Sequence, residues 1–576
     1  MGRRGTALLL AGFVLSCATA FPQPPSDTEI PKILAGRVGA ESNGSGIVVG
    51  IVDANGRRIF SYGSLAKNDA RKFDGDTVFE IGSMTKVFTS LVLMDMVRRG
   101  EVALTDPISK FLPESVKVPE RNGRKITLGD LSTQSSGLPR MPNNFTPKDP
   151  DNPYADYTVQ QMYDFLSGYK LTRDVGSQYE YSNLGVGLLG HVLSLRAGMS
   201  YEALVRSRIC DPLGLKDTRV TLTPEMKARL AVGHSGGLQA VANWDIPTLA
   251  GAGALRSTAN DMLTFLAANL GLVKTPLAQD MADEVSVRRS AGAPDMEIAY
   301  AWHIQTKDGN SIIWHNGGTG GYRTYMGYDP KARVGVVALT NISTPQGVDD
   351  IGRHLLNASY PLLKLDAPAE HQLITLDSKT YDRYAGQYQL GPNAVMTMSR
   401  DGNRFYSQLT GQQRVEIFPE TETKFFLRVV DAQLTFNADA TQVTLHQNGR
   451  DLVAKRMNDA DIKRAADEAA VIAQRFKDQK QAPGTEAALR RNIEELQRGE
   501  PNYDQMSPQL ADVTRQQLPQ LKTLMAQLGA LQSVTFTGVG PGGADIYQVK
   551  FEHGATEWRI SLGPDGKAIG IGFRPI

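Results

Sequence analysis

Strand-like runs stand at both ends of the first 340 residues, and the stretch between them is helical and loop-rich. Ile47–Val52 and Arg58–Tyr62, joined through Asn55-Gly56, read as a hairpin spanning Gly46 to Gly63. Thr77–Ile81 is a further short strand. Strands return at Tyr300–Gln305, Ser311–Trp314, Tyr322–Tyr328 and Val334–Leu339, with Asp308-Gly309 marking one turn. Apolar strands must cover their faces and pair their edges. Strands this far apart therefore predict one mainly antiparallel sheet, built from both chain ends, with the intervening helices packed on it. The fold class expected is α/β (α+β).

At 576 residues the chain exceeds one ordinary core. The texture changes near residue 365, where Asp366-Ala367-Pro368-Ala369-Glu370 reads as a linker. Residues 376–457 read as a small all-β barrel or sandwich, with turns at Asp401-Gly402 and Asn448-Gly449. Residues 459–576 read as an α+β unit: helices to about Gly529, then strands. Tyr547, Val549 and Phe551 share one face there, as do Trp558, Ile560 and Leu562, and Pro564-Asp565-Gly566 is a turn. This leaves 21–365 as the first folded unit.

Residues 1–20 read as a signal peptide: Arg3 and Arg4, a short apolar run Ala7–Leu15, and Ala18-Thr19-Ala20 before Phe21. They predict a periplasmic or secreted protein. Lipidation at Cys17 is disfavoured because Leu15 fits a lipoprotein box poorly. No run is long and apolar enough for a transmembrane helix. Cleavage after Ala20 leaves Cys210 as the single thiol, so no internal disulfide is expected, and its apolar surroundings suit a buried residue. A net charge of +1 gives no footprint for nucleic acid. The eight histidines include no H-E-x-x-H and no closely spaced pair, so neither a metal nor another cofactor is expected.

The chemistry centres on Phe79-Glu80-Ile81-Gly82-Ser83-Met84-Thr85-Lys86. S-x-x-K also occurs at Ser64/Lys67 and Ser167/Lys170, both in loop-like context. Only Ser83 follows a strand and opens a long apolar helix, which the stop signals Arg98-Arg99-Gly100 end. Residues three apart share a helical face, so Lys86 can reach the Ser83 hydroxyl. The helix start favours a developing oxyanion, and burial disfavours the ammonium, leaving an amine that can serve as a base. Gly233-His234-Ser235-Gly236-Gly237 matches the G-x-S-x-G elbow but lacks a buried strand before it, so it reads as a glycine-rich loop. Gly185-Val186-Gly187-Leu188-Leu189-Gly190 matches G-x-G-x-x-G without a parallel βαβ unit, so its glycines are read as allowing close helix packing.

Downstream lie Tyr181-Ser182-Asn183 and His315-Asn316-Gly317, the latter followed by Gly318-Thr319-Gly320-Gly321-Tyr322. S-x-x-K, Y-x-N and a cation-x-G triplet, in that order, resemble the class C β-lactamase and low-molecular-mass penicillin-binding serine hydrolase superfamily. Leu131–Pro139 and Gly251–Met262 resemble it too, and Tyr179–His191 is similar to the periplasmic D-alanyl-D-alanine carboxypeptidase/endopeptidase branch. The resemblance covers about residues 40 to 360. It implies Ser83 as the acylated nucleophile, Lys86 and Tyr181 as proton carriers, and Asn183 on the substrate amide. The oxyanion hole would be the N–H groups of Ser83 and Gly318, with His315 and Gly317 in the substrate-binding third motif. His315 replaces the usual lysine, so its grip on a carboxylate should weaken as pH rises. Arg323 is a second candidate for that charge. Gln134 stands where many relatives carry histidine or tyrosine and receives no role.

The implied substrates are D-amino-acid peptides of D-Ala-D-Ala type, β-lactams, or both. A carboxylesterase for short acyl esters and a penicillin-binding sensor without turnover remain open on the same site. The stretch around Tyr384-Ala385-Gly386-Gln387-Tyr388 resembles appended lipocalin-like domains, and the last unit is cystatin- or NTF2-like in pattern.

Overall fold

The computed structural model describes residues 25–575 apart from 39–44, 66–70, 150, 237, 364–372, 392–393, 411–413, 428–431, 448–449, 541 and 564. The signal-peptide segment, the 366–370 linker and the Asn448-Gly449 turn lie outside the described residues.

The elements that build the site are, in chain order, α1 (Ile30–Val38), β1 (Gly46–Asp53), β2 (Gly56–Gly63), β3 (Val78–Glu80), α2 (Thr85–Arg98), α3 (Asn183–Ala197), β4 (Arg256–Thr258), α4 (Ala259–Asn269), β5 (Arg289–Ser290), β6 (Met296–Ile298), β7 (His303–Lys307), β8 (Asn310–Gly318), β9 (Arg323–Asp329), β10 (Val334–Thr340) and α5 (Asp349–Leu356). The main sheet has the order β2-β1-β10-β9-β8-β7-β6-β5, and each neighbouring pair is antiparallel. The two ends of this unit meet between the second and third strands, where Ile47 lies opposite Thr340 and Val52 opposite Gly335. This is the sheet the separated strand runs predicted.

Both faces of the sheet are covered. Val48 and Val52 belong to the large core under the helices, whereas Ile47, Val49 and Ile51 pack with α1 and α5 on the other side. Two-sided burial makes β1 an unbroken apolar run. Gly50 lets α4 approach closely: a Cβ there would lie 2.7 Å from a Leu263 methyl carbon. The third expected strand forms as β3 but leaves the main sheet. It pairs with β4 in a two-stranded ribbon, with Glu80 opposite Arg256 and the two joined by a buried ion pair of 3.1 Å.

Beyond the sheet, Gly386–Arg456 form a closed barrel of eight sequential strands, preceded by a helix at Ser378–Tyr384. Its core is filled by Tyr384, Tyr388, Phe405, Phe425, Phe436 and aliphatic side chains. Helices at Asp459–Asp478, Thr485–Arg498 and Pro508–Leu528 then lead into a four-stranded antiparallel sheet. Tyr547, Val549, Phe551, Trp558 and Ile560 are buried there on one side, as the alternation predicts.

Candidate active site

Ser83 sits at the mouth of α2, but not as the cap of an α-helix. Gly82–Met84 form a 3-10 turn, and the α-helix begins at Thr85. The tighter turn follows from crowding. Gly82 has φ +51, and a Cβ there would lie 2.7 Å from the Gly318 nitrogen. A Cβ on Gly317 would lie 2.0 Å from the Ile81 carbonyl oxygen. Only glycines allow this backbone-to-backbone approach. Thr324 Oγ1 reinforces it by donating to the same Ile81 oxygen (3.0 Å). The end of β8 is thereby pressed against the turn that carries Ser83. Ser83 and Gly318 thereby line the same cleft.

α2 is buried from Thr85 to Met96. Lys86 is 0% exposed, and its Nζ lies 2.9 Å from Ser83 Oγ, 2.9 Å from Asn183 Oδ1 and 2.6 Å from the Ala252 carbonyl oxygen. Burial holds the amine well below the ordinary lysine range, and the nearby Arg140 guanidinium pushes the same way. A neutral amine has two N–H bonds and one lone pair. The Asn183 and Ala252 oxygens accept the two N–H bonds, which leaves the lone pair for the Ser83 O–H.

Tyr181 lies on the extended segment before α3. Ser182 caps that helix, its Oγ accepting from Gly185 N (2.8 Å) and donating to the Pro139 carbonyl (2.6 Å). The Tyr181 ring lies 4.8 Å from Lys86 Nζ and 5.0 Å from the Arg140 guanidinium carbon. Burial raises its phenol above the usual range, while a hydrogen bond with the Ser83 side chain acts against that rise. The phenol is therefore protonated at neutral pH. Gln134 fixes this segment: its Oε1 accepts from Ser182 N (2.7 Å), and its carbonyl accepts from Glu180 N (2.8 Å). Gln134 itself is held at φ +57. This clamp was invisible in the sequence, because its two halves lie 48 residues apart.

Asn183 is turned inward. Its Oδ1 holds Lys86, and its Nδ2 donates to Tyr154 Oη at 3.3 Å. His315 is 0% exposed and hidden behind the cleft wall, with Nδ1 2.6 Å from the Asn316 carbonyl. Burial, His303 and Lys86 hold its imidazole well below the ordinary range. The expectation of a charged His315 whose grip fades with rising pH is therefore corrected: desolvation leaves it neutral across the neutral range. His303, which sequence reading did not single out, does border the cleft. Its Nε2 lies 3.1 Å from Tyr179 Oη, and burial, then Lys86, lower it to about 4.

These groups enclose a cleft of about 630 Å³. Ser83, Tyr181, Asn183, Gly317, Gly318 and Arg323 border it, as do Arg140, Tyr154, Tyr179 and Trp244, which sequence reading passed over. Arg140 follows directly on the Leu131–Pro139 motif, a placement that could have flagged it. A larger hollow of about 860 Å³ lies beside the Asp459–Asp478 helix and shares no lining residue with this cleft.

The competing motifs fall elsewhere. Ser235 stands in a two-residue strand and loop, its Oγ accepting from Gln239 N (3.3 Å). The glycines of α3 serve packing, since a Cβ on Gly190 would lie 2.9 Å from Gly251 Cα. Cys210 is buried, and burial pushes its thiol up to about 12. Among the described residues no cluster of His, Cys, Asp and Glu could hold a metal, and no helix is long and apolar enough to cross a membrane.

Residues 34–359 match the sequence family described as Beta-lactamase, and residues 370–456 match a domain of unknown function. The D-alanyl-D-alanine-carboxypeptidase/endopeptidase AmpH of Escherichia coli K12 is 30% identical over 59% of this chain and 90% of its own length. Penicillin-binding protein 4* of Bacillus subtilis is 26% identical over 69% of this chain and 91% of its own. A crystal structure of a beta-lactamase/D-alanine carboxypeptidase from Yersinia pestis, complexed with citrate, is 26% identical. It covers 56% of this chain and 95% of that one, with a TM-score of 0.49.

Proposed function

Because the chain belongs to the beta-lactamase family of serine hydrolases, we propose that it cleaves the terminal amide of D-Ala-D-Ala-type peptides through an acyl-enzyme on Ser83, and that β-lactams acylate the same residue. The observation that carries this reading is the Lys86 amine: buried, without a carboxylate partner among the described residues, and 2.9 Å from Ser83 Oγ.

Ser83 Oγ attacks the acyl carbonyl as its proton passes to Lys86 Nζ. The Ser83 and Gly318 amides stabilise the oxyanion, a contribution of roughly 3–4 kcal/mol per donor. The carbon–nitrogen bond then breaks. The leaving nitrogen takes the proton of the Tyr181 phenol, and the proton that Lys86 Nζ took from Ser83 passes on to Tyr181, whose ring lies 4.8 Å from that amine. Water attacks the ester in the second half, gives its proton back through the same groups, and frees Ser83. The protonated state of Tyr181 suits the acid role, which leaves Lys86 as the resting base. Asn183 acts first on Lys86, by fixing its orientation. The hydrolase unit is placed at 21–365, followed by a lipocalin-like barrel at 376–457 and an α+β unit at 459–576. Export to the periplasm rests on the signal-like residues 1–20.

Intact-mass timing with a penicillin, a D-Ala-D-Ala peptide and a p-nitrophenyl ester tests the reading. Penicillin should add its mass to the wild type and not to Ser83→Ala, and the peptide should lose D-alanine. Label that persists on Ser83→Ala would refute the nucleophile. Turnover of the ester alone would refute the peptidase assignment in favour of an esterase, and trapped acyl-enzyme without release would favour a sensor.

A further inference from the structure

Two guanidinium groups border the cleft, and their donors are used differently. Arg323 is held mainly by backbone: its Nε donates to the Thr344 carbonyl (3.1 Å), and its Nη1 donates to the carbonyls of Thr319 (2.9 Å) and Tyr322 (3.0 Å), which leaves Nη2 alone without a hydrogen bond among the described residues. It holds the turn after Gly318 in place. Arg140 is exposed, and among the described residues its guanidinium has neither a hydrogen bond nor a carboxylate within 4 Å. It is nevertheless firmly placed. Its own carbonyl accepts from Asn183 N (3.0 Å) and Leu184 N (3.2 Å), and the preceding Pro139 carbonyl accepts from Ser182 Oγ. The backbone under Arg140 is thus pinned to the start of α3, and the guanidinium carbon sits 5.0 Å from the Tyr181 ring centre.

Among the described residues no aspartate or glutamate borders the cleft, so no carboxylate there opposes this cation. A guanidinium offers a planar fork that matches a carboxylate through two parallel hydrogen bonds. In a D-amino acid the carboxylate is one carbon from the amine, and Tyr181 is the proposed proton donor to that amine. We propose that Arg140 binds the carboxylate of the departing D-amino acid, so that the enzyme selects peptides with a free C-terminus, and that Arg323 positions the loop instead of reading the substrate. This rests on the peptidase reading above.

Two peptides identical except for a terminal carboxylate or carboxamide test the assignment, with release of D-alanine or D-alaninamide as the readout. Wild type should favour the acid in kcat/KM by roughly 10- to 100-fold, the scale of a charged hydrogen-bonded pair. Arg140→Gln should collapse that ratio toward one, chiefly through KM, and Arg140→Lys should fall between. A ratio unmoved in Arg140→Gln, with both substrates slowed alike, would show a merely structural role and overturn the assignment. So would no acid preference in the wild type, or a collapse seen in Arg323→Gln instead. If the wild type releases neither leaving group, the peptidase reading falls and takes this assignment with it. Turnover of both peptides with an unmoved ratio removes the assignment alone.

Discussion

α2 buries an ionisable group at each end, and the two are treated in opposite ways. Lys86 and Asp95 are both 0% exposed and lie roughly 14 Å apart along the helix axis. Asp95 accepts from Arg99 Nε (2.8 and 2.9 Å) and from Arg208 Nη1 (2.9 Å), and Arg98 stands at 3.4 Å. Among the described residues Lys86 receives no carboxylate; its neighbours are a hydroxyl, an amide oxygen and a carbonyl. A buried carboxylate surrounded by guanidinium groups ties helices together. A buried amine given only neutral acceptors sheds its proton and becomes a base. One helix thus shows that pairing separates a structural group from a reactive one.

The largest expected effect is at the reactive end. Ser83→Ala should lower kcat/KM by at least about 10⁴-fold, and Lys86→Met by roughly 10²- to 10⁴-fold. Ser83→Ala should leave the thermal midpoint where it is; Lys86→Met fills the lysine site but strands the Asn183 and Ala252 oxygens, so it should cost no more than about 1–3 kcal/mol. If Lys86→Met unfolded the protein, the contrast between the two ends would collapse. At the paired end, Asp95→Ala should cost about 3–5 kcal/mol of stability by stranding arginines, while the folded fraction keeps its rate per active site. Urea titration and active-site counting with a penicillin separate these outcomes. Gln134→Ala leaves the buried Ser182 N–H without its acceptor. It should cost about 1–3 kcal/mol and lower kcat more than it raises KM, because Tyr181 loses its support.

Two buried groups of opposite sign sharpen the comparison by pH. Burial lowers His303 to about 4. The unfolded chain therefore binds more protons between about pH 4 and 6.5, and stability from this group is lost as pH falls through that window. Asp349, which accepts from Asn316 Nδ2 (2.6 Å), is raised by burial to about 6, opposed by Arg353. There the native state binds more protons, so stability is lost as pH rises from about 4 to 6. His303→Gln should flatten the acid-side loss and Asp349→Asn the loss on the rising side, each a tilt of the stability–pH curve readable by urea midpoints. Tilts in the same direction would refute the burial argument.

Much of this architecture was legible because it is written in local pattern. The Asn55-Gly56 hairpin, the strands β7 to β10 and the apolar α2 formed where turn chemistry and periodicity placed them, with edges moved by a few residues. Ser83 stood out through its neighbours, a strand before and a buried helix after. Side-chain direction and long-range bonding were not legible. The burial of His315 depends on the Tyr181 and His303 rings beside it, the duty of Gln134 on a backbone amide at 182, and the unpaired fork of Arg140 on the lack of an acid beside it among the described residues. The short strands β5 and β6 have too few residues to show a period.

The order of β1, β10 and β9 also governs when the molecule can become an enzyme. Ser83 belongs to the first sixth of the chain, yet the turn that aims it leans on Gly317 and Gly318. The strand bearing those glycines is held through β9 and β10 onto β1. A nascent chain therefore carries the proposed nucleophile for some 235 residues of synthesis before Gly318 can join it, and contacts of such separation form slowly. The hydrolase stays silent until both ends of its sheet have met, and activity in refolding should return in step with amide protection of Gly46–Asp53.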